Sequence, residues 1–407
     1  MSSLAEIYGE LYRTRPGIEA AAVSVVVAGF FCYVTYVLVL VYILPSLDRM
    51  LNGTNYSSEW TKGFVLSVCL GTPSVYSSVY DHPYSVLLVR DVILMGCFFL
   101  VSVVAGVVVL LNRRKGRLYM GIFDFCSFFM ISSLSFLFWA YTKKHLKMCG
   151  GAMLAGYFLY AIHVYRNRMV GHSFDLVSPE SKRHGGARKV LDWVVVFYEG
   201  EASPVSKGVQ AVSPVLISFF YYLTFFPFWA GEAIVVGFVG LAVSGLLWLS
   251  TKKHRKVRDG YTMLSSVFLA KIFVHHTFSI LTGMWSDSSH FVAAAAFLTV
   301  EKTYLLLVAA VFATRADRYM FAMLLTFSGF IYSFFFNFGS LLVLKDLSSL
   351  PTSLLSDYSM ILIITSVVVI VANAELRSGL LEKEVGGILL LQSTIFLLLC
   401  KFKPKIG

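Results

Sequence analysis

Apolar runs of about twenty residues, separated by short polar turns, follow one another along almost the whole chain. A run of that length carries a helix across a hydrocarbon core of about 30 Å, where every backbone group must be satisfied within the helix itself. The pattern predicts twelve helices, over 18–45, 61–80, 88–112, 118–141, 147–166, 209–229, 232–250, 262–284, 289–313, 319–344, 356–374 and 384–401. Between them stand sharply polar turns such as NRRKGR (112–117), TKKHLK (142–147), STKKHRKVRDG (250–260) and KDLSSLPTS (345–353). The expected fold class is an all-α polytopic membrane protein.

One hydrophilic segment is longer than the rest. It contains RNRMVGHS, SPESKRHGGARK and an apolar patch at 191–198 that is too short to span and reads as an interfacial helix. It divides the chain into a membrane block of five helices (1–166), a basic loop (167–208) and a second membrane block (209–407).

With both termini outside, the inner loops hold 22 Lys and Arg and the outer ones 10, while Lys271 and Lys302 fall within spans. The excess of positive charge places 167–208 and 250–260 on the cytoplasmic or equivalent side. The sequons at Asn52 and Asn55 then face inward and stay unmodified. Parity has a further consequence. The first five helices begin outside and the last five, from 262, begin inside. Two five-helix blocks of opposite orientation with an extra helix pair between them form an inverted repeat, a transporter arrangement.

Composition agrees with the pattern. Hydrophobic residues make up 57% and charged residues only 14% of 407, with a mean hydropathy of +0.74. A soluble chain of this size carries about a quarter charged residues. The net charge of +11 sits between spans, so it marks topology and contact with the lipid bilayer rather than nucleic acid. The N-terminus, MSSLAEIYGELYRTRPG, lacks signal-peptide features, and the first span is expected to be retained. Six cysteines stand singly, which supports neither a metal knuckle nor a disulfide framework. No phosphate loop, HExxH or GxSxG occurs, so an enzyme or a bound cofactor is not expected.

The run LSVCLGTPSVYSS (66–78) puts a helix breaker and small polar groups at mid-depth. Pro73 has no N–H and clashes with the carbonyl of residue 69, which frees backbone oxygens. Thr72, Ser74, Ser77 and Ser78 add hydroxyls. Such a break builds an ion site in inverted-repeat carriers. A kinked packing helix whose hydroxyls bond their own backbone is the alternative.

Ionised groups near mid-span are expensive and are usually functional or paired. Glu301 and Lys302 lie inside FVAAAAFLTVEKTYLLLVAAVF, and Lys271 lies in the preceding helix. About the intervening turn, centred near Asp287, Glu301 is 14 residues after and Lys271 is 16 before. An antiparallel pair brings them to one depth, so a Lys271–Glu301 ion pair is expected, with Lys302 turned to a polar cavity. Such a pair serves as a gate, or as a fossil site in which an ammonium replaces a transported cation. His275 and His276 follow one turn beyond Lys271, and either a proton relay or a neutral interhelical bond fits them. Asn337, in YSFFFNFGS, suits an ion ligand or an interhelical hydrogen bond. Arg90 and Asp91 read as an interfacial pair, and the small residues at 233, 237, 240 and 244 as packing contacts.

The features from 25 to 165 resemble the front half of the sodium/calcium exchangers, in particular the mitochondrial-type branch of the cation/calcium exchanger superfamily. The likeness is carried by YILPSLDRMLN, LSVCLGTPSVYSS, FLVSVVAGVVVLL and GYFLYAIHVY. The rear half resembles the family through VSPVLISFF, SGLLWLS and RYMFAMLLTFSGFIYSFFFNFG. The resemblance implies an exchanger fold and exchange of inorganic cations (Ca, Na or H) by alternating access. It implies Thr72, Pro73, Ser74 and Asn337 as ion-binding positions. The repeats are degenerate: Thr72 stands where the family has asparagine, and Ser74 or Tyr76 where it has aspartate. In TYLLLVAAVFATRAD (303–317) no carboxylate precedes Asp317. Calcium takes six to eight oxygens, carboxylates among them, so the usual calcium site is incomplete. The expected function is a cation antiporter with altered ligands. The alternative is a transport-incompetent relative with a structural or regulatory role.

Overall fold

A computed structural model describes residues 18–52, 58–71, 83–112, 117–167, 217, 255–283, 291–345, 347 and 353–401. The loop beyond Asn167, the helices predicted over 209–229 and 232–250 (Ile217 apart), and Thr72, Pro73 and Ser74 lie outside the described residues.

Every element formed by the described residues is helical, and ten helices result. Helix α1 runs Ile18–Val37 and Leu44–Leu51 about a π-helical segment, Leu38–Ile43. Helix α2 is Glu59–Gly71. Helix α3 runs Pro83–Phe99 and Ala105–Leu111 about the π segment Leu100–Val104. Next come α4 (Met120–Tyr141), α5 (Leu146–Arg166), α6 (Arg255–Gly283) and α7 (Phe291–Arg315). Helix α8 runs Tyr319–Ile331 and Gly339–Leu344 about the π segment Tyr332–Phe338. Helices α9 (Leu354–Leu376) and α10 (Lys383–Lys401) complete the set. Six of these, α1, α3, α4, α5, α8 and α9, are long and apolar enough to cross a membrane. The chain is read as a multi-pass integral membrane protein on that basis.

Helix α6 starts seven residues ahead of the apolar run that signalled it. The tract RKVRDG is helical, and Asp259 within it accepts a 2.8 Å hydrogen bond from Arg49 Nε. Hydropathy marks where a helix enters lipid, not where hydrogen bonding begins.

The chain forms two compact units, and each draws from both sides of the 167–208 loop. The first (Met1–Thr54 and Asp175–His290) contains α1 and α6. They pack antiparallel: Arg49 meets Asp259, Met50 lies against Gly260, and the Phe31 and Phe273 rings are 5.2 Å apart.

The second unit (Asn55–Phe174 and Phe291–Gly407) contains the other eight helices. Helices α3 and α8 are its centre, each with 83% of its most apolar window buried, against 33% for α5 and α9. Hydropathy does not single these two out, since the outer α9 is more apolar than α8 and an apolar helix can also face lipid. The outer helices turn Phe128, Ile131, Phe158, Leu159 and Leu391 outward, as a lipid-facing surface does.

The two central helices touch each other, α8 also packs on α7, and each has three further neighbours. Along α8 run α2, α4 and α5. Gly63 of α2 faces Leu324 and Leu325, and Gly71 faces Tyr332, so α2 and α8 are parallel. Phe123 and Phe129 of α4 meet Phe327 and Phe335, again parallel. Gly150 of α5 abuts Gly339 and Tyr160 bonds Ser328, so α5 is antiparallel to α8. Along α3 run α7, α9 and α10. Gly96 faces Thr303 of α7, and Asp91 bonds Ser353 at the start of α9. Gly106 abuts Gly386 of α10, and Ser102 shares a 2.8 Å hydrogen bond with Ser393, which makes α10 antiparallel.

The turn from α9 to α10 needs one glycine. Gly379 has φ +83°, its N–H closes the end of α9 on the Ala374 carbonyl, and its own carbonyl accepts from Leu118 N–H at 2.8 Å. A Cβ there would lie 2.5 Å from the Leu118 oxygen.

Candidate functional site

Polar groups inside the second unit collect along α8, around its π segment. A π segment widens one helical turn and is a frequent mark of function. Ser333 lies beside the fully buried Cys97 of α3. Asn337 is 4% exposed, and its Oδ1 has no hydrogen-bond partner among the described residues. Toward the start of α8, Ser328 and Thr326 are buried as well.

Ser328 is the end of a buried relay. Trp60 Nε1 of α2 donates to Tyr160 Oη of α5 at 3.2 Å, and Tyr160 Oη lies 2.8 Å from Ser328 Oγ. Each group satisfies another where no water is expected, the arrangement that holds helices together in lipid. Thr303, Thr314 and Thr326 instead donate to carbonyls one turn back in their own helices. The sequence offered no signal for the relay, because its partners are 100 and 168 positions apart.

Aromatic rings close the space beside the π segment. Tyr157 of α5 lies 5.6 Å from Tyr332 and 5.3 Å from Phe336, and Tyr332 and Phe336 stack at 5.2 Å. Tyr332 also reaches the end of α2. A Cβ on Gly71 would sit 2.6 Å from its ring. Gly71, the last described residue of α2, thus lies against the π segment of α8.

Glu301 and Lys302 lie near the middle of α7, both half-buried, with Thr299 and Thr303 buried beside them. Within the second unit Glu301 is the one carboxylate near mid-helix among the described residues. Asp91 and Asp357 stand near one end of the bundle, and Glu59 and Asp317 near the other. No group of three or more His, Cys, Asp or Glu capable of holding a metal occurs among the described residues. Lys271 is buried in α6 of the first unit, at 7% exposure, with His275 and His276 half-buried one turn on. Of the predicted site residues, Glu301 and Asn337 therefore share the second unit, and Lys271 belongs to the first. Arg90 and Asp91 pair as expected, with Asp91 Oδ1 accepting from Nε and Nη2 at 3.1 Å, and both are buried.

Glu59, the first residue of α2, has its carboxyl pushed up to about 7 by burial, against the opposing pull of Arg318 and Lys62. It stands where α2 and α8 both begin.

No family model matches the chain. No curated protein matches it either. Solved structures do. The sodium-calcium exchanger NCX_Mj, soaked with Na+ and Sr2+, superposes with a TM-score of 0.57 at 11% identity, covering 93% of this chain and 98% of its own. The H+/Ca2+ exchanger CAX superposes with a TM-score of 0.55 at 12% identity, covering 94% of this chain and 82% of its own. The chain thus has the fold of these cation exchangers.

Proposed function

We propose that the chain is a secondary transporter that exchanges inorganic cations by alternating access, with α1–α5 and α6–α10 as its two inverted repeats. One observation supports this reading: α3 and α8 hold corresponding places in the two blocks. Each is the third helix of its five and has a π segment. Each packs on the second, fourth and fifth helices of the other block, with the fifth antiparallel, and α8 packs in addition on α7, where Gly329 meets Leu306. Mirrored hubs of this kind put an ion site at the repeat interface in such carriers. The two exchangers of the same fold move Na+ or H+ against Ca2+, so sodium or protons are the expected coupling ions.

The proposed site draws on Thr72, Pro73 and Ser74, which follow Gly71 directly, together with Glu301 and Asn337. Among the described residues this region has hydroxyl, amide and thiol groups but one carboxylate, so its ligands differ from a carboxylate-rich calcium cage. The degenerate repeats and the mitochondrial-type branch belong to the same proposal.

A second reading has its own observation. Tyr157, Tyr332 and Phe336 fill the space at the end of α2, where a carrier keeps a hydrated pocket. That filling suits a transport-incompetent relative with a structural or regulatory role.

Purified protein in liposomes separates the two, with sodium, calcium, potassium and proton fluxes measured in parallel. Flux of at least one ion, abolished by Glu301→Gln or Thr72→Ala, is the expected result. Silence for every ion from protein that elutes as a single folded species would overturn the carrier and leave the second reading.

A further inference from the structure

Helices α7 and α8 follow one another through the turn at 316–318, and Leu306 of α7 lies against Gly329 of α8, so the two run antiparallel. Glu301 is five residues before Leu306, and Phe334 is five residues after Gly329. The register therefore brings Glu301 level with Phe334, inside the π segment Tyr332–Phe338. That is also the depth of Ser333 and Asn337. The Asn337 amide is 4% exposed, and its Oδ1 has no hydrogen-bond partner among the described residues.

The sequence holds no second carboxylate for that depth. In the twelve predicted spans the other acidic residues are Glu19, Asp91, Asp124, Glu232, Asp357 and Glu384, and each lies within seven residues of a span end. Asp91 is committed to Arg90 and Ser353, and Asp124 is exposed. The polar groups of α7 and α8 beside Glu301 in depth, Thr303, Ser333 and Asn337, are neutral, and the next residue along α7 is the cation Lys302. Charge decides which ion such a place takes. The cost of moving an ion out of water rises with the square of its charge, and calcium sites offset it with carboxylates. One carboxylate matches one positive charge, and the neighbouring ammonium opposes a second.

We infer that the site at the π segment of α8 takes a monovalent alkali cation of the sodium class and rejects calcium, with Glu301 supplying the one negative charge and Asn337 Oδ1 a neutral ligand. The inference rests on the carrier reading above and narrows it to one class of ion. An exchanger fold is thereby put to a use that its ligand charge, rather than its helix arrangement, sets.

Counterflow in liposomes tests it, because exchange of an ion for itself needs no coupling ion. The full chain is reconstituted in vesicles loaded with sodium, potassium or calcium, and uptake of a radioactive tracer of the same ion is followed. Tracer uptake above that of protein-free vesicles is expected for sodium or potassium, and none above it for calcium. Glu301→Gln should reduce the monovalent counterflow to the protein-free level, while Glu301→Asp, which keeps the charge, should retain part of it. Melting of each variant in detergent checks its fold. Calcium counterflow by the wild-type protein overturns the inference and leaves the carrier reading standing. Monovalent counterflow that persists in folded Glu301→Gln overturns it as well, by removing the carboxylate from the site. Silence of all three ions from folded wild-type protein overturns the inference together with the carrier reading.

Discussion

Gly106 and Gly386 meet backbone to backbone: a Cβ on Gly386 would stand 2.9 Å from the Gly106 carbonyl oxygen, and one on Gly106 would stand 3.1 Å from that of Gly386. Gly150 and Gly339 repeat the relationship, with 2.6 and 3.2 Å. Gly106 and Gly339 each follow a π segment closely, and Gly386 and Gly150 each lie in the first turns of the fifth helix of a block. Small residues at such crossings let helices approach in lipid, where packing rather than hydrophobic transfer holds them.

Side chains at these crossings should be costly. Gly150→Ala and Gly386→Ala press a methyl group onto a facing backbone, which cannot yield as a flexible side chain does. An apparent loss of about 1–3 kcal/mol is expected for each. Gly151→Ala and Gly387→Ala, whose new methyl groups would meet nothing within 4 Å, serve as controls. Melting of the detergent-purified variants is the measurement. Equal behaviour of the two sets would remove the packing argument.

The contact of Gly71 with Tyr332 predicts a coupled pair. Gly71→Ala should destabilise alone, because its methyl group collides with the ring. Combined with Tyr332→Ala it should cost less than the sum of the two single changes. A coupling of about 0.5–3 kcal/mol in a double-mutant cycle is the expected range for residues in contact. Additive effects would mean that the end of α2 does not rest on the ring.

Tyr160→Phe tests the relay. It removes the hydroxyl that Trp60 Nε1 and Ser328 Oγ share. A cost of about 0.6 kcal/mol is typical for an interhelical hydrogen bond in lipid, and values near 1.7 mark the strong ones. Tyr157→Phe, in which the ring contacts survive, should cost less. The comparison is made on thermal melts of both variants.

Glu59 predicts a pH dependence of definite sign. Burial raises its carboxyl from 4.5 to about 7, so the folded state holds the proton more tightly than the unfolded chain. Its contribution to stability is greatest below about pH 4.5 and is withdrawn as pH rises through about 7. Melting temperature should therefore fall between pH 5 and 8, and Glu59→Gln should flatten that slope. A wild-type profile identical to that of the variant would show that Glu59 is ionised throughout.

The ten described helices lie close to the apolar runs that foretold them, since lipid leaves the backbone no alternative to the helix and length alone fixes a span. The orientation of the blocks was argued from charge and parity, also local quantities. Glu301 and Asn337 stood out in the sequence because polar groups are rare in such runs. The partners of those groups did not. Trp60, Tyr160 and Ser328, or Ser102 and Ser393, carry no common pattern and are joined only when antiparallel and parallel helices bring them to one depth.

Sequence by itself determined that the chain is helical, embedded in a membrane, and built of spans set by hydropathy, because the cost of an unsatisfied backbone in hydrocarbon acts residue by residue. Tertiary structure decided which helices are central, which glycines meet, and that aromatic rings close the space beside the π segment of α8. Those outcomes depend on shape matching between surfaces far apart in the chain. Apolar side chains in lipid are nearly interchangeable in transfer energy, and only their packing tells one partner from another.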